Sequence, residues 1–187
     1  MNRMSFSAAL VLISTAIAPT GMAEAQAPSP YAGEQTREIK ARSAKEIFDL
    51  AQGRGMSLAK AAELNRYPGP MNGLELAESL KLSKQQREAL KAIMTRMSAE
   101  AKAVGAEVLG LERELDAGFA TRMIDTQRVK ALTERIGIKN GALRAVHLAA
   151  HLETATVLST EQIVQYDLMR GYAGAPVKTP SGDHDKH

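Results

Sequence analysis

Cysteine is absent from the 187-residue chain, which excludes disulfides, thiolate metal sites and a cysteine nucleophile. Tryptophan is absent too, and the aromatics amount to four tyrosines and three phenylalanines. A core must therefore come from Leu, Ala, Val, Ile and Met, which suits packed helices better than a β-sandwich. No glycine-rich phosphate loop, nucleophile elbow or His-Glu-x-x-His run occurs, so catalysis has no motif to rest on and no catalytic residue is assigned. The net charge of +3 comes without basic stretches interleaved with aromatics, which argues against nucleic acid. After residue 25 no segment is apolar for long enough to span a bilayer, a length of roughly 20 residues.

What is present begins with a leader. Arg3 flanks an apolar run from about Met4 to Pro19, and small residues follow. Ala23-Glu24-Ala25 fits the Ala-x-Ala cleavage pattern and leaves Gln26 as the new N-terminus. Cutting after Ala25-Gln26-Ala27 instead would place Pro28 directly behind the cut. Residues 1–25 thus read as a cleaved secretory signal peptide, with an uncut N-terminal anchor as the alternative. The expected location is the periplasm, and with no cysteine behind the cut a lipid anchor is excluded. What remains after the cut has the size of one domain.

Residues 26–42 carry Pro28, Pro30 and Gly33 and read as a flexible arm; residues 173–187, with four Pro and Gly, read as a disordered tail. Between them, residues 43–172 are helical in pattern. Ser43 with Glu46 forms a capping box for a short helix ending near Gly53. A second short helix is predicted over about Ser57 to Asn65, and a third over Met71 to Leu80 beyond the Tyr67-Pro-Gly-Pro70 turn. From Leu90 the apolar positions continue through Met94, Met97, Ala101, Val104, Val108, Leu111 and Leu115, alternating gaps of four and three. This predicts a helix from Lys84 to about Phe119, too long to be buried by a short neighbour. Its partner is either another copy of the chain or a second long helix capped by Asp125 and weakened by Gly137, Asn140 and Gly141, where a bend is expected. A last helix spans about Thr160 to Arg170, with Gly171 as its cap.

Two helices open on the same words. Leu82-Ser83-Lys84-Gln85-Gln86 and Leu158-Ser159-Thr160-Glu161-Gln162 are both capping boxes, with Ser83 and Ser159 as caps and Gln86 and Gln162 reaching back. A pair of Leu-Thr/Ser-x-x-Gln motifs behind a secretory leader, in a cysteine-free chain of this size, resembles the Spy/CpxP family of periplasmic stress proteins. The resemblance covers roughly residues 71–172, and serine replaces the usual threonine in both copies. It implies an all-α fold, a long antiparallel helical hairpin with shorter flanking helices, and an intertwined or cradle-like homodimer. It implies an ATP-independent chaperone-like binder of unfolded envelope proteins or, alternatively, a periplasmic heavy-metal sensor or resistance protein. A protein partner such as a membrane sensor kinase is a third reading.

Charge is segregated along the first long helix: Lys81 to Arg96 holds five basic residues and one acidic, and Met97 to Ala120 two basic and five acidic. An antiparallel partner chain would set opposite charges together. So would the intrachain hairpin, through Arg128, Lys130, Arg135 and Lys139. His147 and His151, at i and i+4, can turn both imidazoles the same way and hold Zn²⁺, Cu²⁺ or Ni²⁺. A third ligand is needed, with Glu153 and Glu112 as candidates. Otherwise the two histidines belong to a polar boundary stripe with Asn140 and Arg144. The tail Asp183-His184-Asp185-Lys186-His187 offers a weaker grip. Met94 and Met97 suggest copper but fall on the heptad seam, where core packing is the better reading.

Overall fold

The computed structural model describes residues 27–172; the leader and the His/Asp tail lie outside the described residues. The chain divides into two compact units, 1–33 and 34–187. In the first, residues 29–32 form a turn in which the Ser29 carbonyl accepts from the Ala32 N–H. The second holds every helix of the described residues: a 3-10 turn (Glu34–Thr36), α1 (Ala44–Ala51), α2 (Lys60–Glu63), α3 (Pro70–Glu75), α4 (Lys84–Ala120), α5 (Thr126–Val157) and α6 (Thr160–Met169). Among the described residues there is no strand, and no helix is long and apolar enough to cross a membrane. The architecture is all-α: a long helical pair with shorter helices along its flank.

The long helices form because nothing in them stops a helix and both begin with a side-chain cap. Ser83 accepts from the Gln86 N–H at 3.1 Å, and Asp125 accepts from the Arg128 N–H at 2.7 Å. Each satisfies an N–H that the first turn leaves without a helical partner. The 37 residues of α4 give a rod about 55 Å long. Its main partner is α5 of the same chain. The α5 helix runs unbroken through Gly137, Asn140 and Gly141, held on either side by the buried Leu132 and Leu143.

The heptad seam is filled unevenly. One apolar cluster joins Leu82, Leu90, Ala150, Leu158 and Tyr166; a second joins Ile39, Leu50, Ala101, Val108 and Leu143. Between Leu90 and Ala101 lie Met94 and Met97, only half-buried. The α1 helix meets α4 at Gly105, where a Cβ would stand 2.3 Å from the Leu50 carbonyl oxygen. No other residue permits that approach.

Three expectations change. The second helix is the single turn Lys60–Glu63, because Met56 and Ser57 sit at φ +39° and +68°. Both values lie in the left-handed region that a helix cannot include. The third stops at Glu75 and continues as turns to Lys81, at φ +50°. Part of the presumed flexible arm is tied down. Ile39 is 1% exposed, Lys40 pairs with Asp116 at 3.0 Å and Arg42 with Glu112 at 2.7 Å. Pro28, Pro30 and Gly33 made 26–42 look loose from sequence, yet Lys40 and Arg42 find complementary carboxylates along α4.

The segregated charge of α4 is met within the chain. Arg128 and Arg135 pair with Glu114, Lys139 with Glu107, and Arg96 with Glu153.

Candidate functional site

The two Leu-Ser-x-x-Gln motifs are brought side by side. Both are full capping boxes, and their leucines, Leu82 and Leu158, enter the same apolar cluster. Their glutamines are exchanged. Gln86 Nε2 donates to Gln162 Oε1 at 2.8 Å and to the Val157 carbonyl at 2.9 Å. Gln162 Nε2 donates to Gln86 Oε1 at 3.2 Å and to the Leu80 carbonyl at 3.2 Å. Each carboxamide oxygen also accepts from its own serine N–H. Every donor and acceptor of both side chains is used, so the motif closes this end of the hairpin; that pairing is invisible in either copy alone.

Beyond this closure, a cleft of about 860 Å³ opens between α4 and α5 and is roofed by the 52–72 segment. His147 and His151 line it from α5, and Met94 and Met97 from α4. It occupies the level where the seam passes from one apolar cluster to the other. His147, expected on a polar boundary stripe, is 3% exposed. Its Nε2 is buried without a hydrogen-bond partner among the described residues. A nitrogen in that position costs about 1–3 kcal/mol relative to one that is satisfied, so it calls for an explanation. Burial pushes the His147 imidazole below its ordinary range, and His151 adds to the effect. The ring is thus held neutral, the form that ligates.

His151 Nδ1 lies 2.7 Å from the Tyr67 carbonyl oxygen. A carbonyl only accepts, so Nδ1 carries the proton and the neutral ring keeps its lone pair on Nε2. Orientation of an imidazole by a carbonyl behind it is the usual arrangement at metal sites. Gly69 makes room for it: a Cβ there would come within 3.0 Å of His151 Nε2.

No family model, no curated protein and no solved structure matches the chain. The site is therefore defined by its own chemistry.

One wall of the cleft is a carboxylate hub. Glu63 Oε1 accepts from the Tyr166 hydroxyl at 2.6 Å, the Tyr172 hydroxyl at 3.1 Å and Asn72 Nδ2 at 3.3 Å. Arg170 Nε stands 3.5 Å from the same oxygen, and Glu63 Oε2 lies 3.7 Å from His151 Nδ1. The hub joins α2, α3, α5 and α6. Burial first, and Glu63 second, push the Tyr166 hydroxyl far above its ordinary range, so it remains a donor at any accessible pH.

The two histidines thus come together as the i, i+4 spacing implies, but neither proposed third ligand joins them. Glu112 is buried against Arg42, and exposed Glu153 is paired with Arg96. Of the two methionines read as seam packing, Met97 does pack against the first apolar cluster, and both Met94 and Met97 also line the cleft. Glu63 and the methionines of the 52–72 segment carried no signal, because nothing in that segment's irregular spacing shows which side faces α5.

Proposed function

We propose that the chain is an envelope metal-binding protein whose cleft takes a transition-metal ion on His147 and His151. The observation that carries this is the buried, unpartnered Nε2 of His147, one helical turn from an imidazole whose tautomer the Tyr67 carbonyl sets. Supporting it are the two paired Leu-Ser-x-x-Gln motifs, which keep the resemblance to the Spy/CpxP family and its metal-responsive members. The leader fits work outside the cytoplasm. Binding an ion between α4, α5 and the 52–72 roof would stiffen three elements at once, a means of reporting metal to a partner. Calorimetric titration with Zn²⁺, Cu²⁺ and Ni²⁺ tests the reading. One ion per chain is expected to bind, and His147→Ala with His151→Ala to abolish it. Unchanged affinity in that double variant refutes the assignment.

A second reading has its own support. Phe119 is well exposed and Met123 is 85% exposed on the part of the hairpin farthest from the paired motifs, and Ile138 is well exposed nearer the middle of α5. Apolar side chains on a charged rod suit a chaperone-like homodimer that holds unfolded envelope proteins. Protection of a denatured client from aggregation in EDTA, lost in Phe119→Ser with Met123→Ser, is the expected result; equal protection by the variant removes this reading.

A further inference from the structure

Nine methionines occur in the chain, six of them after residue 26. Four of those six, Met56, Met71, Met94 and Met97, line the one cleft that holds His147 and His151. They come from three separate parts of the fold: α4 supplies Met94 and Met97 at i, i+3, α3 supplies Met71, and the left-handed turn before α2 supplies Met56. The buried seam residues of α4 and α5 above and below are Leu, Ile, Ala and Val, and Met97 packs against the edge of the first cluster, so the thioethers are concentrated where the packing opens.

Hard donors are wanting at the same place. Among the described residues Glu63 is the only carboxylate lining the cleft. Its Oε1 is occupied by two tyrosines, Asn72 and Arg170. Its Oε2, buried without a hydrogen-bond partner, lies 3.7 Å from His151 Nδ1, the ring nitrogen turned to the Tyr67 carbonyl. Among the described residues no three His, Asp or Glu are grouped to hold a metal ion. Beyond the two imidazoles, an ion that needs three or four nitrogen and oxygen ligands, as Zn²⁺ and Ni²⁺ do, has this single carboxylate oxygen to call on. Thioether sulfur selects copper(I), and imidazole suits copper as well. A cysteine-free chain outside the cytoplasm also gains from a soft ligand that forms no disulfide.

We propose that the cleft is a copper(I) site, with His147 and His151 giving imidazole nitrogen and Met94 and Met97 giving thioether sulfur, and with Met56 and Met71 at its mouth. This rests on the metal-binding reading above and assigns the ion. Silver(I), the air-stable soft analogue, is an equivalent ligand for the same donors.

The test uses the full chain from Gln26. Copper(I) is titrated under ascorbate against a chromogenic cuprous chelator, silver(I) and Zn²⁺ are titrated by calorimetry, and X-ray absorption is recorded on the copper-loaded protein. Met94→Leu with Met97→Leu conserves volume and apolarity, so folding is preserved. The expected result is one copper(I) per chain with sulfur and nitrogen neighbours, and a loss of at least about 10- to 100-fold in copper(I) and silver(I) affinity in the methionine variant. That range is what even outer partners of a metal site are worth. Zn²⁺ binding is expected to be weaker and indifferent to the methionine change. Copper bound with nitrogen and oxygen neighbours only, or with wild-type affinity in the methionine variant, overturns the copper(I) assignment. If His147→Ala with His151→Ala still abolishes binding in that case, the metal-binding reading stands without it. Affinity unchanged in both variants overturns both.

Discussion

The two ends of the α4–α5 hairpin are built differently. At one end the two serine caps, the exchanged Gln86 and Gln162 carboxamides, and an apolar cluster around Leu90 and Tyr166, both 0% exposed, lock four helices together. At the other, ion pairs between exposed or half-exposed side chains span the rods, and Phe119 and Met123 face outward. Surface pairs of that kind contribute about 0–1 kcal/mol each, whereas a fully buried apolar side chain contributes about 1.5–3 kcal/mol. The hairpin is therefore held by this closure and by the second apolar cluster around Val108 and Leu143; only its tip beyond Leu132 is looser, and the cleft lies between the two clusters. A ligand placed there bridges them.

The comparison is broken most forcefully by cutting into the closed end. Leu90→Ala is expected to cost about 2–5 kcal/mol, while Phe119→Ala stays within about 0.5 kcal/mol; urea unfolding of both variants decides it, and equal effects would erase the asymmetry. Next come the glutamines. Gln86→Ala and Gln162→Ala each strand partly buried partners and are expected to cost about 1–3 kcal/mol. The double variant should cost less than the sum, because the two share one network. Strict additivity would mean that the motifs cap independently.

Acid acts on the cleft. His147 is depressed from the ordinary 6.5, so below that value the unfolded chain takes up a proton that the folded chain resists. Its contribution to stability is fully present above about pH 6.5 and fades as pH falls toward the lowered folded value. A midpoint in urea that drops on acidification below 6.5, with the His147 part of the slope absent in His147→Leu, is the expected outcome. An identical slope in the variant would place the sensitivity elsewhere. The smallest effect is a gain: Gly137 has open space where a Cβ would stand, so Gly137→Ala should stabilise α5 by about 0.5–1 kcal/mol. By contrast Gly105→Ala should loosen α1, since its Cβ would strike the Leu50 carbonyl.

Local signals in the sequence were the dependable ones. Capping boxes at Ser43, Ser83 and Ser159, the Asp125 cap and the heptad spacing depend on neighbours a few residues apart, and each appears in the fold where it was read. The region 52–72 was not legible in the same way. Its two short helices are cut by left-handed residues at Met56, Ser57 and Arg66, and no side-chain pattern advertises a positive φ at methionine, serine or arginine. The site was half legible. The His147–His151 spacing showed that two rings share a face, but the depth of that face depended on what roofs it. Met94 and Met97 satisfied the seam pattern whether the seam was filled or open there. Only the opposing helix distinguishes the two cases.

The claim at the centre of this account is that an ion enters the cleft at His147 and His151. The chain has four histidines, the other two being His184 and His187, so imidazole ¹⁵N resonances tell the sites apart in one titration with silver(I). The account predicts that His147 and His151 shift first and saturate at one equivalent. Shifts confined to His184 and His187, with the helical pair unmoved, would contradict it.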